Sequence, residues 1–224
     1  MINNQKLEGK KIALIGGAGF IGHNLALHLQ SLGAKADIID GMQVNNLLSL
    51  VDNIDNVPYP DLSRSIIMER TNLLRKAKIN LRVQDVRDYH ALTRLLNEIK
   101  PQVIIQLAAV SHANRSNKDP YSTFDHSFRT LENSLDWSRG GTSKVEQFIF
   151  FSSSMVYGNF ESDQVDESSN CEPLGIYGAL KYGSEKIIIG YNQTFDLPYT
   201  IIRPSALYGE RCISRRVGQI FIEN

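Results

Sequence analysis

The sequence predicts an α/β protein built on a doubly wound parallel sheet. Short apolar runs alternate along the chain with longer stretches in which apolar residues recur at helical spacing. The apolar runs show almost no polar alternation, which is typical of strands buried on both faces. A chain of 224 residues is long enough to bury one sizeable core. Strand alternating with helix then favours a parallel sheet covered by helices on both sides.

Each expected element follows from its local pattern. The predicted strands are 11–16, 36–40, 79–84, 102–108, 147–151 and 199–203, and the predicted helices are 20–32, 88–99, 119–137 and 175–195. The first helix ends at Gly33 and the second before Pro101. Glycine commonly follows a helix, and proline disfavours the helical conformation of the residue before it.

The segment 41–78 is longer than an ordinary connection between two strands. It has a turn-rich centre, 53–61, between two helix-like pieces. The second piece carries five cations, which are Arg64, Arg70, Arg75, Lys76 and Lys78. Two interpretations are open: a solvated helix face, or a flap that supplies cations to an anionic substrate.

Composition excludes several classes of protein. Lys+Arg and Asp+Glu both number 24, which argues against a nucleic-acid binder that relies on bulk positive charge. The sequence has neither a membrane-length apolar stretch nor a signal-peptide pattern at Met1, so we expect a cytoplasmic protein without a membrane partner. Cys171 and Cys212 cannot form a disulfide framework, and no Cys/His spacing indicates a metal site.

Glycines at 16, 19 and 22 follow the first strand and open the first helix. To bind a diphosphate, such a turn needs residues without Cβ, so that the backbone can approach the diphosphate closely. The N-terminus of the following helix then offers its unpaired N–H groups to the diphosphate. A glycine triplet alone is a weak signal, but here the strand, the helix and a later acidic residue supply the confirming context. The pattern predicts a dinucleotide site of the Rossmann type.

Two aspartates follow the next two strands. Asp40 ends the second strand, where a carboxylate would bind an adenosine ribose and repel a 2′-phosphate, so NAD is favoured over NADP. The alternative interpretation is that Asp40 only caps a turn. Asp85 follows the third strand, where it would bond the adenine amine or merely initiate a turn.

The sequence contains two Tyr-x-x-x-Lys pairs, Tyr177–Lys181 and Tyr182–Lys186. Residues four apart share a helix face, but the two pairs are about 140° apart around the helix and cannot face the same cleft. The serine cluster 152–154 at the end of the fifth strand favours Tyr177, because ligands bind at the carboxyl ends of parallel strands. A lysine beside the phenol lowers its pKa from about 10 and would let it act as a base.

Several motifs occur in order and together resemble one family. They are Gly16-x-x-Gly19-x-x-Gly22, Leu107-Ala108-Ala109, Ser116-x-x-x-Pro120, Ser152-Ser153-Ser154-Met155-Val156-Tyr157-Gly158, Tyr177-x-x-x-Lys181 and Arg203-Pro204-Ser205-Ala206-Leu207-Tyr208-Gly209. The set is similar to that of the extended short-chain dehydrogenase/reductase family, the NAD-dependent nucleotide-sugar epimerases and dehydratases. The likeness spans nearly the whole chain.

The resemblance implies tightly held NAD, a nucleoside-diphosphate sugar as substrate, and a homodimer formed through the helices 119–137 and 175–195. It implies Ser153, Tyr177 and Lys181 as the catalytic group, with Ser153 and Tyr177 on the substrate. The cofactor residues it implies are Gly16, Gly19, Phe20, Ile21, Gly22, Asp40, Asp85, Val86, Leu107, Ala108, Ala109, Tyr177 and Lys181. It also implies a Rossmann domain over 1–204 and the start of a substrate-binding lobe at 205–224, most of which this chain lacks.

Departures from the family pattern narrow the expected reaction. The family's 4,6-dehydratases carry an Asp–Glu or Ser–Glu pair after the catalytic hydroxyl, which supplies the acid and base for eliminating water, where this chain has Ser154 and Met155. Oxidation and re-reduction at C4 need no such pair, so a 4-epimerase is the leading hypothesis. The alternatives are a dehydratase or 4-keto-reductase of the same family, and a non-catalytic NAD-binding protein.

Further departures concern the site's surroundings. His126 and Arg129 replace an Asn and a Gly of the family pattern, and Ala206 replaces an Asn that commonly contacts substrate. His126 is expected to be either a buried polar replacement or a new proton carrier. His112 is expected on the surface or facing the cofactor pocket.

Overall fold

The structure, a computed structural model, describes residues 7–44, 46–52, 59–110, 113–141, 143–160 and 163–213. Within these ranges strands β1 to β6 span Lys11–Ile15, Lys35–Asp40, Asn80–Val83, Val103–Gln106, Gln147–Phe151 and Tyr199–Ile202. Helices α1 to α8 span Phe20–Ser31, Leu47–Asp52, Pro60–Lys76, Tyr89–Ile99, Ala113–Lys118, Pro120–Phe124, Thr130–Ser138 and Gly175–Phe195. A π turn, Asp125–Arg129, joins α6 to α7, and a 3₁₀ turn, Ser154–Tyr157, follows β5.

The strands form one sheet in the order β3-β2-β1-β4-β5-β6, and every neighbouring pair is parallel. The chain builds outward from β1 to β3 and then crosses back to build from β4 to β6. The predicted doubly wound sheet is therefore confirmed. Its switch point lies between β1 and β4, and ligands of such sheets bind outside the carboxyl ends of the strands at this point.

Side chains of β1 alternate between two apolar cores. Ile12 and Leu14 pack on the face covered by α1 and α3, whereas Ala13 and Ile15 pack on the face covered by α4, α7 and α8. The period of two follows from strand geometry. Burial on both faces explains why β1 is apolar after its first residue.

The predicted strands and helices lie close to the observed ones in the sequence. Local chemistry determines where each element ends. The Asp88 carboxylate accepts from the Ala91 N–H at 2.9 Å and caps α4. Lys100 ends the same helix in a left-handed conformation directly before Pro101. The largest difference is in the predicted helix 119–137, which the π turn Asp125–Arg129 interrupts.

The segment 41–78 contains two helices, as expected, with residues 53–58 outside the described part. Four of its five cations, Arg64, Arg75, Lys76 and Lys78, are exposed. Arg70 is not, because its side chain turns inward and is only 2% exposed. The solvated-face interpretation is therefore wrong for Arg70.

The chain after β6 crosses the carboxyl edge of the sheet. Residues 205–213 lie there, and Arg211 donates to the side chains of His23 and Asn24 on α1, each at 2.9 Å. The expectation of a substrate-binding lobe concerns residues 205–224, of which 214–224 lie outside the described residues. The expectation for His112 also lies outside them.

We predict that two glycines of α8 respond oppositely to alanine. A Cβ on Gly178 would lie 2.8 Å from the Met155 carbonyl oxygen, whereas a Cβ on Gly190 meets nothing within 4 Å. Gly190→Ala should therefore raise the unfolding free energy by about 0.5–1 kcal/mol. Gly178→Ala gains the same helix propensity but should be destabilising, because the 3₁₀ turn must move away.

Urea unfolding of both variants measures the difference, and Gly190→Ala is the matched control. Equal stabilisation of the two variants would contradict the close contact between α8 and the 3₁₀ turn.

Candidate functional site

The glycine-rich turn between β1 and α1 packs tightly on one side and leaves space on the other. Gly16 has φ +75°, and a Cβ there would lie 2.5 Å from the Ala108 backbone nitrogen. A Cβ on Gly22 would lie 2.3 Å from the Gly17 carbonyl oxygen. Among the described residues, a Cβ on Gly19 would meet nothing nearer than 4.0 Å, and no side chain caps the helix at this residue. Gly19 therefore leaves room beside the first N–H groups of α1.

The turn forms one wall of a cavity, which we call the glycine-loop cavity. Every residue named above as a cofactor contact lines it except Tyr177 and Lys181. Three further lining residues were named from the sequence in other roles: Arg70 as a flap cation, His126 as a departure, and Leu207 within a family motif. Sequence reasoning missed the rest of the lining, which is Gly41, Gln43, Val44, Thr130 and Ile213.

Asp40 lies at the edge of this cavity and holds two loops together. Its carboxylate accepts from the Ala18 N–H at 2.9 Å and from the Met42 N–H at 2.7 Å. Burial raises the pKa of the carboxyl, while these two amides oppose the rise. Asp40 therefore caps a turn, as the alternative interpretation predicted, and it also lines the cavity.

Asp85 forms a charged cluster beside the cavity. Its carboxylate accepts from the Arg87 guanidinium at 2.6 Å, and Arg87 also donates to Asp125 in the π turn at 2.8 Å. The hydrogen bonds from Arg87 lower the pKa of Asp85 to about 2. Asp85 is thus ionised at neutral pH, and Gln43 donates to it at 3.2 Å.

A second cavity, which we call the serine–tyrosine cavity, adjoins the first. Ser153, Tyr177 and Lys181 line it together. The lining that the two cavities share consists of Ile21, Leu107, Ala109 and Leu207. The two cavities therefore lie side by side.

Ser153 lies at the end of β5 and is 8% exposed. Its Oγ accepts from the Met155 N–H at 3.2 Å and so caps the 3₁₀ turn. A hydroxyl has one hydrogen to donate and two acceptor lone pairs. The cap uses one lone pair and leaves the hydrogen for a ligand in the cavity.

Lys181 is buried one helical turn after Tyr177. Its Nζ donates to the Phe151 carbonyl oxygen at 2.6 Å and lies 4.8 Å from the centre of the Phe150 ring. Burial lowers the pKa of Lys181 to about 8, and the charge of Glu185 opposes that shift. The ammonium is therefore still mostly protonated at neutral pH.

Glu185 is a buried carboxylate that sequence reasoning missed. It is 1% exposed and accepts from Ser152 Oγ at 2.5 Å and from Arg203 at 2.8 Å. Arg203 also donates to the Tyr157 hydroxyl at 3.0 Å. This network ties β5, β6 and α8 together behind the serine–tyrosine cavity. The Lys-x-x-x-Glu spacing on α8 was the one sequence signal for it, since residues four apart share a helix face.

The remaining predicted positions are distributed as follows. Ser154, Met155 and Ala206 line the serine–tyrosine cavity. His126 is half-buried on the π turn and lines the glycine-loop cavity. The second Tyr-x-x-x-Lys pair, Tyr182–Lys186, faces elsewhere, because Lys186 is exposed and its Nζ lies 4.8 Å from the centre of the Tyr182 ring.

The residues of the glycine-loop cavity fit a dinucleotide. Gly19 leaves room for close approach of a diphosphate to the N-terminus of α1. Arg70 lines the cavity with a buried Nη1 that has no hydrogen-bond partner among the described residues. In the described part of the chain, no group of three or more His, Cys, Asp and Glu side chains is placed to hold a metal ion.

Fold and site together define a protein of the doubly wound, dinucleotide-binding class, in which a serine, a tyrosine and a lysine line a cavity beside the glycine-loop cavity. The chain belongs to the NAD dependent epimerase/dehydratase family, whose pattern it matches over residues 12–224.

Curated relatives include both reaction types of the family. The chain is 26% identical to a dTDP-D-glucose 4,6-dehydratase of Dictyostelium discoideum, over 99% of this chain and 49% of the relative. It is 27% identical to UDP-glucuronate 4-epimerase 6 of Arabidopsis thaliana, over 90% of this chain and 40% of the relative. The chain thus spans about half the length of these relatives, and overall identity does not separate the two reactions.

The chain likewise spans only about half to three fifths of solved structures of similar fold. A UDP-glucuronic acid 4-epimerase from Bacillus cereus in complex with UDP-glucuronic acid and NAD matches with a TM-score of 0.75 and 24% identity, over 93% of this chain and 60% of that one. A UDP-glucose 4-epimerase from Brucella ovis in complex with NAD matches with a TM-score of 0.69 and 22% identity, over 87% of this chain and 51% of that one. At this identity the likeness establishes the fold.

We predict that Lys181 makes stability depend on alkaline pH. Its pKa is about 8 when folded and returns toward 10.5 on unfolding. Between these values the unfolded chain holds a proton that the folded chain has released, so the unfolding free energy should rise with pH by up to about 3 kcal/mol. Lys181→Met should remove this rise.

Urea unfolding at several pH values across this window measures the effect. Lys186→Met is the matched control, because Lys186 is exposed on the same helix. Equal pH slopes for the two variants would contradict the buried position of Lys181.

Proposed function

We propose that this chain is the NAD-binding and catalytic part of an enzyme that epimerises a nucleoside-diphosphate sugar at C4. The reaction would pass through a 4-keto sugar. The observation that carries the proposal is the shared lining of the two cavities, because the cavity of Ser153, Tyr177 and Lys181 adjoins the glycine-loop cavity.

The chain's own residues would move the proton in this reaction. When bound, NAD supplies the acceptor and donor of hydride at C4. The Tyr177 phenolate takes the proton of the C4 hydroxyl during oxidation and returns it during reduction. Inversion requires the ketone to present its other face before reduction.

Lys181 and Ser153 support that proton transfer. The buried ammonium of Lys181, one helical turn after Tyr177, would stabilise the negative charge that the Tyr177 oxygen carries during proton transfer. Because the Phe151 carbonyl accepts from Lys181 Nζ, the ammonium is held in place at the end of β5. Ser153 donates its hydrogen to the same sugar oxygen and aligns it with Tyr177.

The lining of the serine–tyrosine cavity favours epimerisation over elimination of water. Elimination needs an acid and a base besides the tyrosine. Among the described residues, no carboxylate lines this cavity, and the two positions after Ser153 are Ser154 and Met155. Neither side chain could exchange those protons at neutral pH, which supports the 4-epimerase hypothesis.

The remaining parts of the proposal concern organisation and location. Residues 1–204 would form the NAD-binding domain, 41–78 an insertion in it, and 205–224 the start of a substrate-binding lobe. NAD is favoured over NADP because of Asp40.

In the described part of the chain, no helix is both long and apolar enough to span a membrane. We place the protein in the cytoplasm, where its nucleotide sugar would serve polysaccharide biosynthesis.

A homodimer is also part of the proposal. A groove between α8 and the π turn is lined by Phe128 and Tyr191, and Phe124 at its edge is 55% exposed. Pairing of this face with a second copy would cover these rings. Phe124→Glu should shift the protein toward monomer in light scattering, whereas Phe160→Glu, at a similarly exposed ring elsewhere, should not. Equal effects of the two variants would contradict this dimer.

We predict that Tyr177→Phe removes turnover and keeps NAD. The variant should be made in the longest product of the gene that carries this chain. Loss of the phenol removes the base, so the rate should fall at least a hundredfold, in line with the roughly 10²–10⁴-fold contribution of general acid–base catalysis. NMR of the sugar products measures the rate, and nucleotide extracted from the protein measures NAD.

Tyr182→Phe is the matched control and should retain turnover, because Tyr182 belongs to the pair that faces away from the cavity. Unchanged turnover in Tyr177→Phe would refute the assignment. Retained NAD with no conversion by the unaltered protein would support the non-catalytic alternative.

A further inference from the structure

Arg70 is an unusual residue for the interior of this fold. It lies on α3, in the segment 41–78, and its side chain is 2% exposed. Arginines are almost never fully buried unless they are paired with an anion. Among the described residues, however, no carboxylate forms an ion pair with Arg70.

The hydrogen bonds of Arg70 leave one end of the guanidinium unused. Nε and Nη2 donate to the Arg211 carbonyl oxygen at 3.0 and 2.5 Å. Nη1 is buried and has no partner among the described residues. An unmade bond of this kind costs about 1–3 kcal/mol, and more when the group is charged.

Among the described residues, no negatively charged group is hydrogen-bonded to Arg70. Arg211 is a second cation, and its Nε donates to His23 Nε2 at 2.9 Å. Burial lowers the pKa of His23 to about 4, so this histidine is neutral at physiological pH. Asp40 acts on Arg70 only as a more distant charge, and its carboxylate oxygens already accept from Ala18 and Met42.

Arg70 also lines the glycine-loop cavity. His23, which responds to the charge of Arg70, belongs to the first turns of α1, and its Nδ1 lies 2.9 Å from the Gly19 carbonyl oxygen. Arg70 is therefore placed near the N-terminus of α1, where unpaired N–H groups favour an anion. Two independent features, a helix N-terminus and an unpaired buried guanidinium, thus point to the same kind of ligand.

We infer that Arg70 is a phosphate-binding residue of the dinucleotide site, with Nη1 donating to a phosphate oxygen of the bound cofactor. Guanidinium donors match phosphate geometry, and their charge-assisted bonds are about twice as strong as neutral ones. The inference rests on the proposed dinucleotide cofactor and adds a residue from the insertion to it.

The inferred contact gives the segment 41–78 a role. The same guanidinium holds the Arg211 carbonyl with its other two nitrogens, and Arg211 lies between Leu207 and Ile213, which both line the cavity. Arg70 would therefore link the phosphate to the segment 207–213 that borders the cofactor.

Calorimetric titration of nucleotide-free protein tests the inference. The titrants are NAD, ADP-ribose and NADP, and the variants are Arg70→Met, Arg70→Lys and Arg64→Met. Arg64 is an exposed arginine of the same helix and is the matched control. We expect Arg70→Met to weaken NAD and ADP-ribose about tenfold or more, equivalent to about 1.4 kcal/mol per tenfold. Arg70→Lys should lose less, and Arg64→Met nothing.

A further variant separates phosphate binding from a purely structural role. Arg211→Met loosens the segment 207–213 but leaves Nη1 of Arg70 in place. It should weaken NAD less than Arg70→Met does; an equal loss would overturn the inference. If Arg70→Met does not fold, the comparison of Arg70→Lys with Arg64→Met decides, and equal NAD affinities would again overturn it.

The titrants distinguish the source of the phosphate. Equal weakening of NAD and ADP-ribose supports contact with the diphosphate, which both contain. A loss confined to NADP would move the contact to a ribose 2′-phosphate and overturn the diphosphate assignment. Unaltered protein that binds no dinucleotide would refute the proposed cofactor, whereas NAD binding that ignores Arg70→Met would refute this inference alone.

Discussion

The common direction of all six strands is the constraint on which the rest of the molecule depends. Because every strand is parallel, every carboxyl end lies at one edge of the sheet. The glycine turn after β1, Asp40 after β2, Asp85 after β3 and Ser153 after β5 are distant in sequence but meet at that edge. The two adjoining cavities follow from this topology, and helix α8 completes the second one by adding Tyr177 and Lys181.

Two networks of charged side chains connect the carboxyl edge of the sheet to the segments that pack around it. Glu185 and Arg203 join α8 to the ends of β5 and β6, and the Ser152 hydroxyl completes the carboxylate's bonds. Removing one partner of such a pair typically costs about 3–5 kcal/mol, because the other charge stays buried. On the other side of the switch point, Arg87 connects Asp85 to the π turn. Each network holds a wall of one cavity in place.

The sequence predicted what depends on local pattern and on topology. Apolar runs and helical periodicity located all six strands, and the glycine spacing located the turn whose close contacts the structure shows. What it could not predict depends on contacts between distant segments. Arg70 resembles its exposed neighbours in sequence, and only the fold turns it inward toward Arg211. The partner of Glu185 lies 18 residues away on another element, and the π turn has no distinct composition.

The most direct test of the account is conversion of nucleotide sugars in D₂O by the longest product of the gene, loaded with NAD. UDP-, GDP-, CDP- and dTDP-sugars would be supplied, and mass spectrometry and NMR would follow the products. The account predicts a sugar with inverted C4 configuration and no carbon-bound deuterium, because the hydrogen that leaves C4 returns to C4. Loss of water with deuterium on carbon, or no conversion of any sugar, would contradict it.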